Sequence, residues 1–557
     1  MAPLPITTHI SKLIDTATTQ PDLQALKIPQ VSDDGTSNGW ETITFAHFLR
    51  DVENAARYWA NELSQKGVKY RDEAPPLYHN RLLINKPVFI DELRLYRVKG
   101  LSYIDAVLIW GILRAGYIPQ LFSLRLTSSD VISTLLERTG GKAVVVESEW
   151  LKNVNVSQPS LPAVDTRALD VNNLPLPPVW LPASGDDTVM IFHSSGSTSG
   201  MPKPIDITAR WLNFNIQTSQ DIFEAIYTDG RRSVMSSNGS FCHLAASFMM
   251  LSSHARGGCV VLCKNMPCTS QEIKLLVKEH GLTSLFLFAS FLGDILREAR
   301  TDKELLEALQ SLTDVTYGGL PIESEIANWA REQGIKLTEG FGSTEMGIGL
   351  LSVGGDGPDA ALLRPIKGAT YKFVPIQDHE TDGDNAGEKL LELIIPPECH
   401  NCPPKSLRNE ATGDFHTGDL FVEVMPGKYQ FRGRNDDWIK TQSSLRCDTK
   451  AIEENVMELC AQDLINRAVV VGSGRPSPSI LVEPKDEKAD HLYLRKEILR
   501  RITPFHERRY MHERVDDSRF ILVVPQGSLP TTAKGSVQRK NVEKHFQAAL
   551  DQIYTVA

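Results

Sequence analysis

The stretch "TVMIFHSSGSTSGMPKPI", Thr188 to Ile205, joins a short apolar run to a loop of Ser, Thr, Gly and Pro that ends in a lysine. The run "VMIF" is bounded by turn residues and reads as a buried strand. The loop has the makings of a phosphate grip. Glycines let backbone N–H groups approach oxygens, hydroxyls add donors, and Lys203 adds a point charge. Three residues separate Gly196 from Gly200, so the spacing fails the G-x-x-x-x-G-K-[ST] pattern of P-loop NTPases. Taken alone, such a loop is more often a flexible connector than a site.

Working outward, "KAVVVES" (142–148), "GCVVL" (258–262) and "LFLF" (285–288) are further β-rich runs. They alternate with helical stretches such as "TSSDVISTLLERTG" and "QEIKLLVKEH". This alternation predicts a layered α/β domain with substantially parallel sheet, whose ligands bind in loops after the strand ends. The Ser/Gly loop follows a strand and sits where such a site belongs. "TFAHFLRDVENAARYWANEL" places Phe45, Phe48, Leu49, Val52, Ala56, Trp59 and Leu63 near helical spacing, predicting an amphipathic surface helix. After "FRGRNDDWIK" (431–440) comes a helix–strand–strand–helix run, "KAIEENVMELC", "NRAVVVGS", "SPSILVEP" and "HLYLRKEILRRITPF", predicting a small α+β unit. "QDHETDGDNAGE" (377–388) reads as a hairpin or loop. The charge-rich segment 70–100 lies where a sheet strand should follow the first long helix, and reads as an insertion or a gene-model artefact.

The chain has 557 residues, 41% hydrophobic and 23% charged, which suits one large domain and a smaller one. Its net charge of −10 gives nucleic-acid binding no electrostatic support. The N-terminus lacks a basic start and apolar core, so it is not a secretory signal. Apolar runs such as "LTSLFLFASFLGDIL" (282–296) are too short to span a bilayer. These features predict a soluble cytoplasmic protein with no membrane partner. Eight cysteines make no disulfide scaffold, and "CHNC" (399–402) has no second pair at zinc-site spacing, so its cysteines read as reduced loop residues.

Four more motifs follow the Ser/Gly loop in order: "EGFGSTEMG" (339–347), "FHTGDL" (415–420), "FRGRNDDWIK" (431–440) and "LPTTAKGSVQRK" (529–540). Together they resemble the adenylate-forming superfamily of acyl- and aryl-CoA synthetases, luciferases and peptide-synthetase adenylation domains, from about residue 40 to 540. "GYIPQLFSLRL" (116–126) and "DDWIKTQSSLRCDTKAIEENV" (436–456) look closest to adenylation domains of fungal nonribosomal-peptide-synthetase-like enzymes.

The resemblance implies a large N-terminal domain of layered α/β sheets (1–434) and a small mobile C-terminal α+β domain (437–557), with a hinge near Asp436. It implies ATP and Mg²⁺, and activation of a carboxylate by attack on the α-phosphate, helped by positioning and electrostatics. Ser195, Gly196, Ser197, Thr198, Ser199, Gly200 and Lys203 would grip the β- and γ-phosphates; Ser199 makes this loop one residue longer than the commoner form. Thr344 would donate to the α-phosphate and Glu345 would hold Mg²⁺. Phe341 would stack on adenine, Gly318 and Gly319 of "YGGLP" would lie along it, Asp419 would accept both ribose hydroxyls, and Arg434 would reach the ribose. Much of the family reads Gly-Lys in the last motif. Here Lys534 precedes Gly535, making Lys534 the candidate for the acyl carboxylate and Lys540 a weaker one.

"SNGSFCHLAASFMM" (237–250) resembles the acyl-pocket segment. Amino-acid-activating relatives place an Asp after the Phe to pair with the substrate ammonium; here Cys242 follows Phe241. This implies an aryl, keto or other non-amino acid, with His243 lining the pocket and Phe288, Ala289, Ser290, Phe291 and Tyr317 fitting an apolar wall. The stretch after the last motif is too short for a carrier domain. The implied acceptor is CoA, a separate carrier protein, or a domain of a larger enzyme. "TQSSLR" lacks the Gly pair that many CoA ligases use, which favours a carrier thiol or a lost second half-reaction. The alternative is a catalytically weakened nucleotide-binding descendant.

Overall fold

The computed structural model describes residues 7–31, 37–68, 81–85, 102–122, 128–147, 156–194, 202–227, 230–319, 322–375, 389–434, 439–443, 445–530 and 539–555. Two large sheets carry the N-terminal part. The first has six strands in the order Ser160–Pro162, Gly141–Val146, Arg81–Asn85, Ile118–Phe122, Thr188–Ser194 and Lys203–Thr208. All its pairs are parallel except the last. Five residues of the charge-rich 70–100 segment, "RLLIN", fill a central slot of this sheet, so the expected strand exists inside a sequence that hides it. The remainder of that segment, and residues 377–388, lie outside the described residues.

The second sheet has thirteen strands. Its middle is parallel: Gln24–Val31, Cys259–Leu262, Val234–Ser237, Ser284–Phe288, Asp314–Gly318 and Leu337–Ser343. Beyond Ser343 the chain turns back into antiparallel strands, including Phe415–Met425 paired with Lys428–Arg434. Parallel strands such as Cys259–Leu262 and Ser284–Phe288 are apolar runs, as sheets covered on both faces require.

The helix Phe45–Gln65 buries Phe45, Phe48, Val52, Ala56, Trp59 and Leu63 as its periodicity predicts. It packs on Tyr103–Arg114, itself buried at nearly every position. Contact is close enough that a Cβ on Gly111 would meet Ala55 Cβ at 2.4 Å. The C-terminal part is a three-stranded sheet, Ile465–Val471, Ser479–Pro484 and Ile521–Val523, with helices Thr449–Cys460 and His491–His506, matching the predicted order. Among the described residues no helix is long and apolar enough to cross a membrane.

Three histidines are sealed into these cores. His9 lies edge-on to Trp110 at 5.4 Å, His254 Nε2 donates to the Ala25 carbonyl at 3.0 Å, and His506 Nδ1 accepts from the Val515 N–H at 3.1 Å. Burial pushes His9 and His506 down to about 3 and His254 to about 4. Each is neutral in the fold but protonated in the unfolded chain below about pH 6.5. Stability is therefore lost as pH falls from 6.5 toward the folded value, by about 2 kcal/mol per histidine at pH 5. Buried Asp314 and Glu513, raised by desolvation, act in the opposite sense because the fold takes up their protons first. His254→Gln removes one of these titrations. Its loss of stability between pH 7 and 5, measured by urea unfolding, is expected to be smaller than that of the unsubstituted protein by about 2 kcal/mol. An equal loss would exclude His254 from the acid response.

Candidate active site

A cavity of about 840 Å³ opens where the parallel strands of both sheets end. The Ser/Gly loop joins two antiparallel strands. Strand Thr188–Ser194 pairs antiparallel with Lys203–Thr208, His193 opposite Pro204 and Ser194 opposite Lys203. All four of these root residues line the cavity, and Lys203 is exposed. Ser195 to Gly200 lie outside the described residues.

Strand Leu337–Ser343 delivers the second motif. It turns at Thr344–Met346 and returns as Gly347–Ser352. Trp211 Nε1 donates to the Glu345 carbonyl at 3.1 Å and Asn401 Nδ2 to the Met346 carbonyl at 2.9 Å. Gly347 has φ +74°, and a Cβ there would meet Asn215 Oδ1 at 2.5 Å, so no larger residue fits. This backbone clamp leaves the half-buried side chains of Thr344 and Glu345 at the cavity wall. Gly318 and Gly319 line it beside them. A Cβ on Gly318 would meet the Gly340 carbonyl at 2.9 Å, and Gly319 has φ +93°.

Asp419 reaches the cavity from Phe415–Met425, with its side chain almost wholly buried. Arg434 is its direct partner across the ladder, so the register brings together the two residues expected at the ribose. Lys534, Asp436 and the side chain of Arg434 lie outside the described residues.

Phe341 requires a correction. Gly340 and Gly342 line the cavity but Phe341 does not, and the strand pairing shifts register between Phe341 and Gly342. Its ring is buried among Phe421 and Phe431, with centroids 5.1 and 5.2 Å away. The structure does not bring it to the cavity to stack on a base.

The apolar wall comes from Leu244, Phe248, Met249, Phe286 and Phe288, with Cys242 and His243 at its edge. His243 is the N-cap of helix Leu244–His254 but makes no side-chain cap. Ala289, Ser290, Phe291 and Tyr317 are not lining residues. Tyr317 is buried, and its hydroxyl donates to Glu339 Oε2 at 3.1 Å.

Sequence reading missed several liners. Arg408 lies in a stretch with no motif, and its Nε donates to the Pro403 carbonyl at 2.6 Å. Lys440, Leu445, Tyr510 and His512 come from the C-terminal part. Lys440 Nζ donates to the Gly319 carbonyl, and Tyr510 is buried against Phe122, Val131 and Ile132 of the N-terminal part. Lys440 and Leu445 stand inside quoted stretches; a contact between distant segments leaves no local signal for Tyr510 and His512.

Cys399 and Cys402 are buried in the aromatic core around Phe421. Among the described residues, one cluster has metal-ligating atoms within 4.8 Å of one another: Cys263, Cys268 and Glu272. Glu272 accepts from the Asn265 backbone at 3.1 Å and side chain at 2.9 Å, which makes it a loop staple.

Comparison with known proteins agrees with this arrangement. A family profile described as AMP-binding enzyme matches residues 106–388, and one described as AMP-binding enzyme C-terminal domain matches 436–557. The chain is 32% identical over 540 residues to the AMP-binding domain-containing enzyme iboA of Amanita muscaria (strain Koide BX008), covering 94% of this chain and 98% of that protein. It is 24% identical to the adenylate-forming reductase stbB of Stachybotrys bisbyi over 80% of this chain, but spans only 41% of that longer protein. The fold is shared with o-succinylbenzoate CoA synthetase (MenE) of Bacillus subtilis, at TM-score 0.68 and 15% identity over 97% of this chain and 98% of the other. It is shared too with PA1221, a protein containing adenylation and carrier domains, at TM-score 0.67 and 17% identity over 97% of this chain and 84% of that one. The chain belongs to the AMP-binding enzyme family and is an adenylate-forming ligase close to the fungal peptide-synthetase-like enzymes.

Proposed function

We propose that the protein activates a non-amino carboxylic acid with ATP and passes the acyl group to a thiol. The observation that carries this reading is convergence: Lys203, Thr344, Glu345, Asp419 and the Gly318–Gly319 backbone meet at one cavity from four separate segments. An acid carboxylate oxygen attacks the α-phosphorus, the bond to the bridging oxygen breaks, and pyrophosphate leaves with the electron pair. Negative charge grows on the phosphate oxygens, and fixed donors stabilise it without reorganising. The Ser/Gly loop and Lys203 hold the leaving group, Thr344 the α-phosphate and Asp419 the ribose. Lys534 is assigned to the acyl carboxylate.

Glu345 fits a magnesium ligand: its carboxylate is half-buried at the cavity beside the Thr344 and Ser343 hydroxyls, all hard oxygen donors. When bound, Mg²⁺ supplies charge neutralisation to the phosphates.

The apolar wall and neutral Cys242 favour an aryl or keto acid over an amino acid. His243 lines that pocket and is given no acid–base role. The acceptor is the thiol of a separate carrier protein or of CoA. The thiol attacks the acyl carbon and AMP departs. Residues 437–557 would turn about Asp436 between the two steps. Eight free cysteines suit a reducing cytoplasm.

ATP–pyrophosphate exchange against aryl, keto, fatty and amino acids tests the reading. Exchange with an aryl or keto acid is expected. A strong signal with an ordinary amino acid would overturn the Cys242 argument. ATP binding without exchange for any acid would assign the weakened nucleotide binder instead.

A further inference from the structure

His193 stands at the root of the hairpin that carries the Ser/Gly loop, and both its ring nitrogens are already engaged by protein. Nδ1 lies 3.0 Å from the Leu121 carbonyl, which can only accept, so Nδ1 carries the proton. Nε2 is therefore bare and accepts from the Gln120 amide nitrogen at 3.0 Å. Gln120 is fully buried. Its oxygen accepts from Thr139 Oγ1 at 2.6 Å, a hydroxyl that shares its proton with the Leu135 carbonyl at 2.8 Å. The Leu121 carbonyl thus fixes the tautomer, and the bare Nε2 turns the Gln120 amide nitrogen toward the ring, which leaves the amide oxygen for Thr139. The ring also packs on Phe122, with centroids 4.3 Å apart. Burial holds His193 down at about 4, consistent with a neutral ring.

The donors run in one direction, from Thr139 at the end of helix Ser129–Thr139, through Gln120 on strand Ile118–Phe122, to His193 and back to the Leu121 carbonyl. Reversing the His193 link would set donor against donor at Nε2 or acceptor against acceptor at the Leu121 carbonyl. The network ties the hairpin root to the neighbouring strand and helix.

We propose that Thr139, Gln120 and His193 form a one-way hydrogen-bonded strut that positions the root of the phosphate loop for nucleotide binding, and that His193 is a positioning residue with no acid–base role. The proposal rests on the assignment of the cavity to ATP. A shifted root moves the loop's N–H groups relative to the phosphates, and such misplacement weakens binding without touching the acid pocket.

Two readouts test it. The first is ¹⁵N-histidine NMR of the full chain at pH 7, with His193→Gln used to assign the resonance. A protonated Nδ1 and a bare Nε2 are expected. The opposite tautomer or an imidazolium would overturn the strut whatever the activity. The second is exchange kinetics. Thr139→Val and Gln120→Leu are expected to raise the KM for ATP about tenfold while changing the KM for the acid less than about twofold, and Thr139→Ser to restore the unsubstituted value. An unchanged KM for ATP in Thr139→Val, or equal rises in both KM values, would overturn the positioning role. Calorimetry with ATP on the unsubstituted protein separates the two readings. No binding there ends the nucleotide assignment and the strut's role with it, whereas a wrong tautomer in a protein that binds ATP ends the strut alone.

Discussion

Asp419→Asn is expected to lower kcat/KM for ATP in ATP–pyrophosphate exchange by about 10²-fold or more. Most of that loss should vanish when 2′-deoxy-ATP replaces ATP. The carboxylate is 1% exposed and lines the cavity. Its backbone is held from both sides: the Asp419 N–H donates to Thr417 Oγ1 at 3.0 Å, Thr417 Oγ1 donates to the Leu393 carbonyl at 2.8 Å, and the Gly418 N–H donates to Glu392 Oε1 at 3.1 Å. A carboxylate is acceptor-only and suits two ribose hydroxyl donors; an amide of the same shape turns one acceptor into a donor. The variant therefore loses a charge-assisted bond to the nucleotide and gains a mismatch. Removing the 2′-hydroxyl from the nucleotide deletes the other end of the same interaction, so the two losses overlap in a double-mutant cycle. Strictly additive losses would place Asp419 off the ribose.

How much of this was legible depends on whether the signal is local. Lys203, Thr344, Glu345 and Asp419 each sit in a compact motif, the first three at strand ends, where an α/β sheet presents its ligands, and Asp419 inside strand Phe415–Met425, and all four reach the cavity. The apolar runs "TVMIF", "GCVVL" and "LFLF" became strands because two covered faces demand continuous hydrophobicity. Phe341 sits in the same motif as Thr344 and Glu345, yet its ring packs against Phe421 and Phe431 from strands far along the chain, neighbours that the local sequence does not show. Strand Arg81–Asn85 was hidden because charged neighbours swamp its three apolar residues, Leu82, Leu83 and Ile84. Trp211 and Asn401 left no trace at all. They hold the Glu345–Met346 backbone from 134 and 55 residues away, and one sequence does not show which donor will meet a given carbonyl.

That same clamp makes Glu345 separable from the fold. Glu345→Gln is expected to reduce kcat for exchange by about 10²- to 10³-fold and to raise the Mg²⁺ concentration needed for half-maximal rate. The unfolding midpoint should stay within about 2 °C of the original, since no hydrogen bond known to support the fold is lost. The turn is fixed by its backbone, through the Trp211 and Asn401 bonds at 3.1 and 2.9 Å and the left-handed Gly347 with φ +74°. The substitution keeps the volume and removes only the charge. A neutral amide oxygen is a weaker ligand for a hard divalent cation, so the deficit should appear as a metal requirement as well as a slower rate. Titrating Mg²⁺ in the exchange assay, with melting curves on the same preparations, reads both effects. A variant that is slow but has an unaltered Mg²⁺ requirement would move the metal ligand elsewhere and leave Glu345 with a purely electrostatic part at the phosphates. A variant as fast as the unsubstituted protein would remove Glu345 from the reaction altogether, and with it the strongest link between this turn and the chemistry of adenylation.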